Sequence, residues 1–355
     1  MVPAVKISLS LTGRTDALKR FFAIATFLFS AAVVAAPPVA APPPATQQYI
    51  RQLGVGMVVD WARTEQGIRE FDPLVVRDFS QRGIHHVRIR VAGAATEQHL
   101  LHLRKIVEAC EQYGVIPIIS YQAEAFRNDP SLENARGVVA WWRTVTGYFA
   151  GVSPQLGFDV IFEPGDKFNR NPAPLNRLYD QVLKAIHTIS PQRVVFIAPH
   201  LRAAPEALAS LKWPFHNNGV TLAEWHIFPW GPVKSNGKYP WTTGTLLERA
   251  SIRARIHAAL RWQQKTGLYS WLGAWSAGEI ARNASLKNPV AFATFMACEL
   301  QKARIPYAIN PDTWFYDGEE GNWRTRMQPL LDAMIKPDCS TFKNAQPDVK
   351  PGRSG

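Results

Sequence analysis

"HHVRIRVAGAATEQHLLHLRKIVEACEQYGVIPIIS", residues 85–120, contains one complete strand–helix–strand unit. "HHVRIRV" (85–91) is short and rich in β-branched residues, which favours a strand. The next segment places apolar residues at 100, 103, 106/107, 110 and 113, a helical period, and Gly114 stops it. "VIPIIS" (115–120) then reads as a second strand, apolar throughout. Two strands joined through a helix pair in parallel, and a parallel sheet needs both faces covered.

The unit repeats in both directions. Strands are expected at 53–59, 85–91, 115–120, 158–164, 193–199, 219–228, 269–275 and 306–310, each followed by a helical pattern. Eight such pairs close into a (β/α)8 (TIM) barrel, an α/β fold in a single domain. An open doubly wound sheet would carry a Gly-rich phosphate loop after its first strand. Here Gly54 and Gly56 fall within that strand and no GxGxxG follows.

The ends of the chain differ in composition. Lys6, Arg14, Lys19 and Arg20 precede the apolar run 21–36, and "PPVAAPPPA" follows. This predicts a signal peptide over 1–36, a Pro/Ala-rich linker over 37–47, the barrel over 48–336 and a disordered tail over 337–355. The apolar run is shorter than the ~20 residues of a membrane span. The expected location is therefore periplasmic or secreted, with no stable membrane span after signal removal. Formal charge is +12, of which the signal region holds four cations and one anion, leaving about +9. The basic residues are scattered and no recognition motif accompanies them, which points away from nucleic acid. A basic surface favours anionic partners. Cys110 and Cys298 lie on apolar helix faces and read as core thiols; a bridge from Cys298 to Cys339 stays open. No Cys/His pair has zinc-ligand spacing, so neither a metal nor another cofactor is expected.

In such a barrel the chemistry lies just past the strand ends. Those positions hold Asp60 and Trp61, Arg88 and Arg90, Gln122 and Glu124, Phe162 and Glu163, His200, His226, Ala274 and Trp275, then Asn310, Asp312 and Trp314. Carboxylates suit glycoside cleavage, and aromatic faces pack against pyranose rings. Trp141, Trp142 and Trp262 sit on helices and read as core. The segment 227–244 is long, with Trp230 and Trp241, and is expected to wall a cleft.

Four motifs in order resemble glycoside hydrolase family 5, the cellulase-like hydrolases. "GIHHVRIRV" is similar to the family's strand-two pattern, with Arg88 at its arginine. "VIFEP" resembles Asn-Glu-Pro, with Glu163 in the acid/base place. "EWHIF" resembles His-x-Tyr, with His226 matching. "YSWLGAWSAG" resembles Gly-Glu-Phe-Gly. The resemblance implies an enzyme hydrolysing O-glycosidic bonds of a polysaccharide or oligosaccharide, endoglucanase-like. Three departures stand against it: Phe162 replaces the Asn, Gln122 and Ala123 replace a strand-three His pair, and Ala274 replaces the nucleophile. Glu279 is then the first choice of partner for Glu163, with Glu124 and Asp312 as alternatives. An inactive polysaccharide-binding or exopolysaccharide-processing protein on the same barrel remains the other reading. The expected catalytic set is Glu163, Glu279, His226 and Arg88. The expected substrate-binding set is Trp61, Gln122, Phe162, Trp230, Trp241, Trp275, Asn310 and Trp314. Arg88 is expected inside the mouth, turned to Glu163 or Glu224, because a charge within a strand needs a partner.

Overall fold

A computed structural model describes residues 44–212, 220–228, 241, 243–277 and 285–342. Eight parallel strands close a barrel in sequence order. They are β1 (Val55–Ala62), β2 (His86–Val91), β3 (Ile116–Tyr121), β4 (Gly157–Asp159), β5 (Val195–Ile197), β6 (Thr221–Ile227), β7 (Ser270–Trp275) and β8 (Tyr307–Ile309). All eight expected strands are present, several of them shorter than the apolar runs. β4 stops at Asp159, so Glu163 belongs to the loop above it.

Alternation along each strand divides the core in two. Met57, Val59, Val87, Ile89, Ile119, Phe158, Trp225 and Leu272 face the helices. Val58, Ile118, Phe196, Leu222, Trp271, Ala274 and Ala308 face one another inside the barrel. The helix Pro44–Leu53 closes the lower end, adding Tyr49, Ile50 and Leu53 to that inner set. It starts inside the segment assigned to the linker, so the folded part begins earlier than residue 48. His86 donates from Nδ1 to the Leu53 carbonyl at 2.6 Å and accepts from Trp271 Nε1 at 3.1 Å. Burial pushes its pKa down to about 3, which keeps this inner imidazole neutral.

β7 carries one extra residue against β6: Trp225 pairs with Leu272, whereas His226 pairs with Ala274. The bulge falls at Gly273. A Cβ there would collide with the Glu224 carboxylate, so only glycine fits. The bulge turns Ala274 inward and Trp275 outward.

Two features differ from expectation. Cys298 is not a free core thiol: it is bonded to Cys339, with Cα atoms 5.7 Å apart. The tail, expected to be disordered from 337, is thereby tied to the helix Lys287–Ala303, and Cys339–Phe342 form a 3-10 turn. A small hairpin, Tyr316–Asp317 with Asn322–Trp323, follows β8 and carries no strong sequence signal. Among the described residues, no helix is long and apolar enough to cross a membrane.

Candidate active site

The upper barrel holds charges of alternating sign, linked from the interior to the surface. Arg88 on β2 is fully buried. Its Nε and Nη2 reach Asp159 Oδ2 on β4 at 2.9 and 2.5 Å. Nη2 also meets Glu224 Oε1 on β6 at 2.6 Å. Nη1 donates to the Gly273 carbonyl at 3.2 Å, and Nη2 to the Phe162 carbonyl at 2.5 Å. Ser120 donates to Asp159 from β3. The expectation that Arg88 turns inward to Glu224 holds. Asp159 is the partner that reading only the residues past the strand ends missed; it is the last residue of β4, four positions before Glu163.

His226 continues the chain. Its Nε2 contacts Glu224, and its Nδ1 lies 3.3 Å from Glu163 Oε2. Arg88 Nη1 stands 2.8 Å from the same Nε2, and Glu224, touching both, offsets their repulsion. Burial disfavours the imidazolium, yet Glu224 and Glu163 outweigh it and raise the His226 pKa. Glu163 Oε1 accepts from Arg202 Nη1 at 3.1 Å. Burial pushes the Glu163 carboxyl up, but His226, Arg202 and Arg127 together hold it below the ordinary range. Asp159 is pushed up to about 7 by burial and by Glu224, against the pull of Arg88.

Arg202 reaches Glu163 through an unusual turn. Leu201, Arg202 and Ala203 have φ of 56°, 53° and 59°, all left-handed and none glycine. Each such residue costs about 1–2 kcal/mol. Nothing in "HLRA" signals that conformation, so sequence reading did not find Arg202.

Phe162 directly precedes Glu163, at the position where the resemblance leads one to expect an Asn. The Arg88 guanidinium lies 4.3 Å from its ring centroid and that of Arg90 5.1 Å. The ring therefore shields Arg88 and offers no hydrogen bond to a sugar hydroxyl. Arg90 also pairs with Asp60, beside the buried Asp312. Burial and Asp60 push Asp312 up to about 7, against Arg90.

The expected binding tryptophans mostly face elsewhere. Trp61 packs on Phe71 and Phe79 outside the barrel, at 5.3 and 5.4 Å. Trp241 is buried against Phe292 and Phe295, so that part of segment 227–244 is packing. Trp275 is fully buried against Phe292 and Tyr307 and does not reach the cleft. Trp314 is half-buried and lines a cavity of about 740 Å³ with Asp317, Asn322, Trp323 and Arg324. Gln122 is buried at the end of β3, and its Nε2 has no partner among the described residues. Asn310 lies half-buried after β8, with Oδ1 likewise unpartnered. Glu124 is exposed. Trp230 and Glu279 lie outside the described residues. The structure thus brings together Glu163, His226, Arg88 and Phe162.

The family profile described as Cellulase (glycosyl hydrolase family 5) matches residues 55–307. The chain belongs to that family. Its fold is similar to an endoglucanase at 21% identity and TM-score 0.70, over 82% of this chain and 99% of that one. Endoglucanase Cel5A of the hyperthermophilic Thermotoga maritima matches at 20% identity and TM-score 0.71, over 82% and 99%. The cellulose synthase subunit Z of Clostridioides difficile matches at 17% and 0.68, over 80% and 100%. No curated protein matches the sequence.

Ala274 sets a direct test of the site. Ala274→Glu would place a carboxylate within the apolar set that fills the barrel interior, with Arg88 already engaged by two acids. It is expected to lower stability by at least about 2 kcal/mol and to confer no hydrolysis. Urea unfolding and a reducing-sugar assay measure both, and a stable, newly active variant would contradict this account.

Proposed function

We propose that this chain holds a polysaccharide at the barrel mouth and does not cleave it through a covalent glycosyl-enzyme intermediate. The observation that carries the reading is position 274. There a buried methyl stands where the resemblance to the family implies the nucleophile, and the nearby Arg88 is neutralised by Glu224 and Asp159, both fully buried. Retaining cleavage requires a carboxylate that reaches the anomeric carbon. Glu163 keeps an opening to solvent, its side chain 13% exposed, so it is the carboxylate a glycan would meet. Glu163 is also ion-paired on both sides, which opposes the protonated state a general acid needs. Endoglucanases among the structural neighbours support a β-linked polysaccharide as the ligand class. The leader-like N-terminus and the Cys298–Cys339 bond support a periplasmic or secreted location.

A second reading, single-displacement hydrolysis, is favoured by the retained Glu163–His226 contact. Its second carboxylate would come from Glu279, in the segment that follows β7 in sequence. Incubation with an activated 2-fluoro glycoside, followed by intact mass, is expected to show no adduct. Glycan binding and reducing-sugar release are then compared for the wild type and Glu163→Gln. Under the binding reading, no sugar is released and the affinity changes less than about tenfold. Under single displacement, the wild type turns over and Glu163→Gln loses about 10²–10⁴-fold. A covalent adduct would overturn both.

A further inference from the structure

The ion pair above Glu163 indicates the kind of sugar the mouth receives. Arg202 presents its fork to Asp166, with Nε at 3.0 Å from Oδ1 and Nη2 at 2.9 Å from Oδ2. Its remaining nitrogen, Nη1, holds Glu163. One guanidinium thus grips a carboxylate in the two-bond geometry that arginine matches best, while also bonded to Glu163. Beyond Arg202, that carboxylate accepts one long bond, from Asn169 Nδ2 to Asp166 Oδ1 at 3.3 Å. The Asp166 side chain is 62% exposed and that of Arg202 59%, and exposed ion pairs hold weakly. The backbone holds Arg202 firmly in contrast, through the left-handed run 201–203 and a bond from Leu201 N to Asn169 Oδ1 at 3.1 Å. Arg127 adds a second guanidinium near Glu163, and its Nε has no hydrogen-bond partner among the described residues.

We propose that Arg202 is a receptor for the carboxylate of a uronic-acid residue, and that Asp166 occupies its fork until such a glycan arrives. The proposal rests on polysaccharide binding at this mouth and adds that the polymer is anionic. A uronate taking Asp166's place would bring its ring against Glu163. It would also gain from Arg127 and from the net positive charge, about +9 once the signal region is set aside. A neutral glucan has no carboxylate with which to replace Asp166 in that fork.

The test compares cellohexaose with its C6-oxidised counterpart, a cellouronate hexamer of the same linkage, by calorimetry at low and physiological salt. The wild type is expected to bind the uronate at least tenfold tighter, with the margin shrinking as salt rises. Arg202→Met is expected to abolish that preference. Asp166→Asn, a surface change, is expected to widen it several-fold by freeing the fork. Equal binding of the two hexamers by the wild type overturns the proposal and leaves glycan binding standing. So does a preference that survives Arg202→Met, or one that Asp166→Asn leaves unchanged or narrows. If neither hexamer binds, polysaccharide binding fails together with it.

Discussion

Replacing Arg88 with leucine is expected to cost about 3–5 kcal/mol of stability. Arg88 is the cation between two fully buried carboxylates, Asp159 at 2.5 Å and Glu224 at 2.6 Å. Removing it leaves both acids in a site where water does not compensate them. The loss should depend on pH. Asp159 already binds its proton more tightly in the folded state, at about 7, than the ordinary 3.8 of the unfolded chain. A group with that sign withdraws stability as pH rises from about 4 through 7. Without Arg88 its pKa moves further up, so the variant should lose more at pH 8 than at pH 5. Urea midpoints at the two pH values read this directly. Adding Asp159→Asn and Glu224→Gln to Arg88→Leu should recover much of the loss, since apolar and neutral replacements of a whole buried network are tolerated. An equal loss at both pH values, or no recovery, would show that Arg88 acts by packing and not by charge.

Opening the Cys298–Cys339 bond is expected to cost about 2–4 kcal/mol. The bridge closes a 41-residue separation, and a loop of that length loses much of its unfolded-state freedom when cross-linked. The bond fastens the chain after the last helix, Gln328–Ile335, to the helix Lys287–Ala303. Leu330, Leu331, Met334 and Ile335 on that last helix are buried, so the fastening protects a core contact as well as a tail. Cys339→Ser and mild reduction should lower the urea midpoint by the same amount. A midpoint unchanged in both would mean that the last helix holds by its apolar face alone. The sequence places Cys298 on an apolar helix and leaves a bridge to Cys339 open; whether that partner 41 residues away reaches it depends on how the helix meets the end of the chain.

The barrel was legible because it is a matter of period. Apolar runs of strand length, helical runs with apolar residues every three or four positions, and eight repetitions leave few alternatives once both sheet faces must be buried. The same order placed Arg88, Glu163, His226 and Ala274 at the upper rim before any contact was known. Orientation is a different matter. Trp61, Trp241 and Trp275 follow strands or sit in a long loop, and their chemistry suits a sugar. Yet the alternation of β1 and the bulge at Gly273 send Trp61 and Trp275 outward, while Phe292 and Phe295 enclose Trp241. A one-residue bulge reverses a side chain's face and leaves only a glycine as its trace.

The sequence by itself determined the class of fold, the family and the absence of a carboxylate at position 274, because each follows from local pattern and residue identity. Tertiary structure alone decided what stands around that absence. Asp159 lies 71 residues from Arg88 along the chain, and Glu224 lies 136. Only barrel closure brings them to one guanidinium. Arg202 reaches Glu163 through three left-handed residues that local propensity disfavours. Such conformations persist where surrounding contacts over-determine them, and those contacts are made between segments far apart in the chain.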